Sequence, residues 1–445
     1  MGEGKKDAMR VNFDNKLKLE FHGVKVTSDA GLLAYIEIDA FGLTEMGDCE
    51  LSDNRTGKNT QHSIDALLRQ SVYSRLAGYE DTNDAERLSV DPAMRHIVGE
   101  RAKDKTAASV SLMGRFETEI LTQSQNLKAL MNQPGQWVDE VHKHKPIKEI
   151  ILDIDSSDSP TFCKQEGSSY NGHFGYTCYY PLFVFNHFGD IERALLRNGN
   201  VYSSDDWKSV LEPIIKRYQD KVIIRYFRGD AAFANPDIYH LLETEGYYYA
   251  IRLKGNNILQ GHIEHLLTRP VGRPPKKPII QYHSFRYQSA SWEQDRRFVA
   301  KIEWHEGELF PRVGFIVTNL RLKSSNVLKF YNKRGTAEQW IKEGKYALKW
   351  TRLSCHDFDD NQVRLQLLCM SYNIGNFLRR LALPKSIKDW SLRTMREKLV
   401  KIVDKVVSHA HYVTFQMAEV LLSKSMFYEI LAMIHRLKPV PIGSG

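Results

Sequence analysis

Two short runs and one longer one carry acidic residues where local pattern gives them chemistry. In Ile150-Ile-Leu-Asp153-Ile-Asp155-Ser-Ser-Asp158, strand alternation puts Ile150, Leu152 and Ile154 on one face and Ile151, Asp153 and Asp155 on the other. Two carboxylates on one face of a buried strand are costly unless a cation or protons offset their charge. A divalent-metal site fits that requirement, and a solvated strand end whose acids cap a loop fits the same residues. In Val222-Ile-Ile-Arg-Tyr-Phe-Arg-Gly-Asp230 an apolar strand ends in Arg-Gly and delivers Asp230 at its carboxyl edge, where ligands of open α/β sheets bind. A turn or helix cap is the plainer role for such an acid.

The longer run is Tyr331-x2-Arg334-x3-Glu338-x6-Lys345. On an α-helix these offsets fall at roughly 0°, −60°, −20° and −40°, one stripe about 60° wide. A phenol, a guanidinium, a carboxylate and an ammonium on a core-facing stripe call for a polar ligand, and a metal with a phosphodiester would engage all four. Gly335 weakens that helix, and Thr336 with Gln339 could open a new one. A solvated helix face is the alternative.

The elements around these residues change character along the chain. Residues 1–145 read mainly as helices, one capped by Ser28 or Asp29 and running to Phe41, one from Thr60 through Leu76, one opened by Asp91-Pro92 and one from about Leu112 to Met131. Pro134-Gly135 in the polar stretch Asn132–Lys145 predicts a linker. Residues 146–254 then read β-β-β-α-β-α-β: strands at Lys148–Asp155, Tyr176–His187 and Ile191–Asn198, a helix to Tyr218, the strand Val222–Phe227, a helix from Asn235-Pro236 to Gly246, and the strand Tyr247–Leu253. That order implies a mixed sheet flanked by helices, a ribonuclease-H-like α/β core by analogy. Residues 255–324 read as a β-rich insertion, 325–385 as helices completing the core, and 386–445 as a basic C-terminal region with Arg393, Arg396, Lys398, Lys401 and Lys405.

Composition narrows the function classes. The 445 residues are 42% hydrophobic and carry a formal charge of +8, which excludes disorder as the main state and makes nucleic acid the leading partner. No apolar stretch approaches the roughly 20 residues of a membrane span, and Met1–Arg10 has no signal-peptide core, so no membrane partner and a cytoplasmic location are expected. Five scattered cysteines without a C-x-x-C pair give neither a zinc site nor a disulfide framework.

Taken together, Asp155, Asp230, Glu338 and the Tyr-x2-Arg-x3-Glu-x6-Lys run, with a β-rich insertion between the second and third acids, resemble a bacterial insertion-sequence transposase of the DDE type. Gly78-Tyr-Glu-Asp-x-Asn-Asp, Leu152-Asp-Ile-Asp-x-x-Asp-x-Pro160, Gly172–Pro181 and Val413–Val420 extend the resemblance over nearly the whole chain. It implies a ribonuclease-H-like core whose three acids, Asp155, Asp230 and Glu338, hold two Mg2+ ions, with Mn2+ able to substitute. Asp155 would bridge the ions, with Asp153 as the competing first ligand or a supporting partner. The Ser-Ser after Asp155 favours Asp155. Tyr331, Arg334 and Lys345 would position DNA phosphates.

The implied activity is cleavage of terminal inverted repeats, through a hairpin on the transposon end in relatives with this signature, and joining of the 3′-hydroxyls to target DNA by a homodimer. Relatives stack an extruded base on an aromatic residue of the insertion, for which Trp292 and Trp304 are candidates, with core packing the alternative for both. Gly272-Arg273-Pro-Pro-Lys276-Lys277 resembles an AT-hook, a basic segment that lies in the minor groove, or is a plain basic loop. A structure-selective endonuclease on the same core and a transposase-derived DNA-binding regulator without chemistry are the competing functions.

Overall fold

Ile150, Leu152 and Ile154, expected on one face of a strand, are completely buried on β1 (Glu149–Ser156), the strand on which the central sheet is built. This is a computed structural model, and it describes residues 9–10, 18–19, 25–39, 42–45, 50–55, 60–221, 223–269, 271–272, 276–290, 292–409 and 412–437. The remaining strands of the sheet are β2 (Leu182–Asn186), β3 (Ile191–Leu195), β4 (Ile224–Gly229), β5 (Tyr248–Leu253), β6 (Ile279–Tyr287), β7 (Arg296–Trp304) and β8 (Arg312–Thr318).

The sheet order is β6-β7-β8-β5-β4-β1-β2-β3. β1, β4 and β5 are parallel, β2 pairs antiparallel with β1, β3 pairs antiparallel with β2, and β8 pairs antiparallel with β5. The β-β-β-α-β-α-β order read from residues 146–254 is therefore present as the 3-2-1-4-5 half of a mixed sheet, the ribonuclease-H-like core. The strands of residues 255–324 hydrogen-bond onto its free edge at β5 and continue the same sheet.

Of the helices, α1 is Ile64–Leu76, α2 Ser124–His144, α3 Trp207–Tyr218, α4 Pro236–Thr244, α5 Ser324–Asn332, α6 Gly335–Glu343, α7 Phe358–Ala382 and α8 Lys424–Leu437. On one sheet face α3 and α4 pack over the Ile150–Leu152–Ile154 side of β1 through Val210, Ile214, Ile238 and Leu242. On the other, Phe183 and Phe185 of β2 join Trp350 and Tyr372 in a core shared with α1, α2, α7 and α8. Among the described residues no helix is long and apolar enough to cross a membrane.

Three local expectations change. Residues 132–144 of the stretch read as a linker lie inside α2, with Pro134 within the helix and Lys145 as its C-cap. Gly135 explains the pair: a Cβ there would fall 1.5 Å from the Arg217 guanidinium of α3, so this residue lets α3 cross close to α2. The strand expected over Tyr176–His187 splits at Tyr180-Pro181 into Tyr176–Tyr179, which joins a small separate sheet, and β2. The run Tyr331–Lys345, placed on one helix with an alternative new start at Thr336, spans two helices and a π-helical turn at Gly344–Leu348, and the break falls at Lys333 and Arg334. Thr336 there bonds back to the Lys333 carbonyl.

α7 also closes the β3 edge of the sheet. Its buried Gln362, Gln366 and Asn373 bond the backbone of Leu196, Ala194 and Ile191, which satisfies groups that an open edge strand leaves exposed. The N- and C-terminal regions meet at Gly31, whose N–H donates to the Val400 carbonyl at 3.2 Å. A Cβ at Gly31 would sit 1.6 Å from the Leu399 carbonyl oxygen, and backbone cannot yield as a side chain can. Gly31→Ala is expected to destabilise the protein by about 1–3 kcal/mol or more, read as a lower midpoint in urea unfolding.

Candidate active site

β1 and β4 are parallel and in register, Asp153 opposite Arg228, so Asp155 near the end of β1 and Asp230 just past the end of β4 come level at the carboxyl edge. Neighbouring strands lie about 4.8 Å apart, which makes these two acids lateral neighbours. One Asp230 oxygen accepts from the Ala232 N–H at 2.9 Å, capping the turn after β4. The capping role read from sequence is therefore present alongside the edge position.

The third acid arrives on α6, which packs against β1. Arg334, just before α6, is buried and links the group: its Nη2 lies 3.0 Å from Asp155 Oδ1 and its Nη1 4.0 Å from Glu338 Oε1. Glu338 is the open member of the cluster, its side chain 57% exposed. Burial pushes the Asp155 carboxyl up to about 6; Arg334 opposes the rise, and the charges of Asp230 and Glu338 add to it. Tyr331 faces the same charges: burial raises its phenol, with Arg334 and Arg252 opposing and Asp230 and Asp155 reinforcing.

Asp153 has a different environment. It is fully buried, and both its oxygens are taken by Arg228, Nε to Oδ1 at 2.7 Å and Nη2 to Oδ2 at 2.6 Å. Arg228 also donates to the Phe330 carbonyl at the end of α5. The pair thus ties β1 and β4 to the segment leading into Arg334. Sequence reading passed over Arg228, although alternation along β4 already put it on the face of Asp230.

Of the residues expected to meet DNA phosphates, Arg334 and Lys345 are engaged by carboxylates, Lys345 with Asp158 at 2.7 Å. Asp158, which also accepts from the Tyr176 hydroxyl at 2.7 Å, is a second residue that sequence reading did not single out. Trp304 is buried, and Trp292 stacks on Phe298 with Tyr239 and Tyr287 against its edges and Arg296 over its ring. Trp304 is a member of the hydrophobic core that α3 and α4 share with the sheet and Trp292 packs against that core, which is the core-packing alternative. Lys276 and Lys277 are exposed, and Arg273 lies outside the described residues.

Among the described residues no three His, Cys, Asp or Glu side chains are gathered as a ready metal-binding set. The chemistry of the cluster nonetheless suits a hard divalent cation. Its donors are all carboxylate oxygens; Arg334 pairs with Asp155 and Glu338, and the charges of Asp230 and Glu338 add to the burial that raises the Asp155 carboxyl. Asp155, Asp230 and Glu338 are the residues that would hold such ions.

The three acids sit at the edge of two adjacent parallel strands and on a crossing helix of a ribonuclease-H-like mixed sheet. The sequence matches the family described as Transposase DDE domain group 1 over residues 9–439, and the chain belongs to that family. No curated protein matches the sequence. Among solved structures the chain is similar to the cryo-EM structure of a piggyBac transposase synaptic complex with hairpin DNA. That similarity has a TM-score of 0.41 and 9% identity and covers 94% of this chain and 83% of that one.

Proposed function

We propose that this chain is a DNA transposase that binds the terminal inverted repeats of its element, cuts the element ends, and joins the 3′-hydroxyls to target DNA. The observation that carries the reading is the level placement of Asp155 and Asp230 at the carboxyl edge, with Glu338 linked to Asp155 through Arg334. Membership of a DDE transposase family supports it. Cleavage through a hairpin on the transposon end and a homodimer acting on paired ends belong to the same proposal.

Two Mg2+ ions held by Asp155, Asp230 and Glu338 would lower the pKa of the attacking water or 3′-hydroxyl and stabilise the leaving oxygen. The chain itself supplies position. Arg334 fixes the orientation of Asp155 from a buried site, and the Asp153–Arg228 pair holds β1 and β4 in the register that sets Asp155 beside Asp230. Lys345, through Asp158, fixes the loop that follows Asp155. Tyr331, at the end of α5, presents its phenol to the same edge.

The test is incubation of the full chain with DNA carrying the inverted repeats that flank its gene. Expected are Mg2+-dependent cuts at the element ends and, with pre-cleaved ends and a plasmid target, covalent joining. Cutting without joining would leave a structure-selective endonuclease, and binding without either would leave a DNA-binding regulator.

A further inference from the structure

A groove of about 850 Å³ lies beside α6, lined by residues of α6, the π-helical turn after it, the end of α7 and the segment through Arg393. Its walls are basic. Arg379 and Arg380 are fixed in them, held at 2.7 Å by Glu343 and Asp190 respectively. Lys342, Lys385 and Lys388 also line it, are exposed, and have no ion-pair partner among the described residues. Tyr346 projects into the same groove with 73% of its surface exposed, although Ala347 and Leu348 beside it are buried in the core. The acids that could neutralise the groove are few: Glu343 is occupied by Arg379, and Asp389 is the other acid among the described residues that line it.

The groove adjoins the acidic cluster. Lys342 follows Glu338 by one helical turn, about 6 Å along α6 and about 40° around it. A track of unpaired cations with an exposed aromatic ring is the pattern by which proteins hold unpaired nucleic acid: cations follow the backbone and the ring stacks on a base of any sequence.

We propose that this groove holds a stretch of single-stranded DNA leading to or from the carboxylate site, its phosphates on Lys342, Lys385 and Lys388 and a base on Tyr346. This rests on the transposase reading above and extends it, since it assigns a place to a strand whose bases have come apart near the cut.

The experiment uses the full chain with a fluorescein-labelled single-stranded oligonucleotide, the duplex of the same sequence, and a duplex bearing the element end, over a range of salt. The Lys385→Glu/Lys388→Glu variant is expected to weaken single-strand binding by tenfold or more, and to reduce the slope of log affinity against log salt by roughly 1.4, at about 0.7 per phosphate. Tyr346→Ala is expected to cost the single strand roughly 5- to 150-fold, the scale of one lost base stack, while duplex binding changes little. All three side chains are exposed, and matching circular dichroism spectra check the fold.

Wild-type affinity and salt slope in both variants, with end cleavage intact, would overturn the groove and leave the transposase reading standing. An equal loss on duplex and single strand from Tyr346→Ala would overturn the single-stranded occupant. A wild-type chain that binds none of the three DNAs would overturn the groove and the transposase reading together.

Discussion

Glu338→Gln is expected to abolish cutting at the element ends while leaving them bound. The side chain is mostly exposed, and its ion-pair partner Arg334, at 4.0 Å, has a closer partner in Asp155 at 3.0 Å. Replacing the carboxylate by an amide of the same shape therefore leaves α6 and its packing on β1 in place. What it removes is negative charge at the open side of the cluster, where a divalent ion needs an anionic oxygen ligand. The expected loss in Mg2+-dependent cleavage is at least about 10³-fold, the upper part of the range found when one electrostatic stabiliser of a developing charge is deleted. Affinity for an end duplex, measured by gel shift, should stay within about twofold, because non-specific phosphate contacts come from cations elsewhere. Wild-type cleavage by this variant would remove Glu338 from the set of acids and with it the reason for placing metal ions here.

How much of this site was legible from the chain depends on the range of the interaction that fixes each residue. Alternation in Ile150–Asp155 is a property of the strand itself, and the structure has Ile150, Leu152 and Ile154 buried on one side and Asp153 and Asp155 on the other. It could not separate the two acids, because the difference lies in register: Asp153 falls opposite Arg228, and cross-strand register is a tertiary fact. The run from Tyr331 to Lys345 shows the same limit. Its spacing was that of one helix face, whereas the chain turns at Lys333 and Arg334 and again in the π-helical turn. The first of these turns is what brings the Arg334 guanidinium back onto Asp155, in addition to Glu338 on its own helix. The Pro134-Gly135 pair was misread because a proline and a glycine usually end a helix. Here the missing Cβ makes room for Arg217, a contact no local rule contains. The strands after residue 255 were recognisable one by one, but their pairing onto β5 depends on which sheet edge is free.

The sharpest consequence of that register is the Asp153–Arg228 pair. Both side chains are almost wholly buried, and the bidentate geometry uses both carboxylate oxygens. Burial pushes the Asp153 carboxyl up even though Arg228 and Arg334 both oppose it, so desolvation is the larger influence on this acid. Asp153→Asn would leave the Arg228 guanidinium buried beside a neutral amide. Removing one member of such a pair typically costs about 3–5 kcal/mol, a large fraction of the stability of most folded domains. The expected result is a strongly lowered urea midpoint or failure to accumulate as soluble protein. Arg228→Met together with Asp153→Leu removes both charges and keeps apolar volume between β1, β4 and α5. Such replacements of buried pairs are often neutral or stabilising, so the double variant should recover most of the lost stability. It also decides between the two candidate first acids, because it deletes the Asp153 carboxylate from a folded protein. If Asp153 only holds β1 against β4, the double variant cuts element ends within an order of magnitude of wild type, and Asp155→Asn does not. A double variant that folds and binds ends but cannot cut them would give Asp153 a direct part at the metal site and reverse the assignment of Asp155.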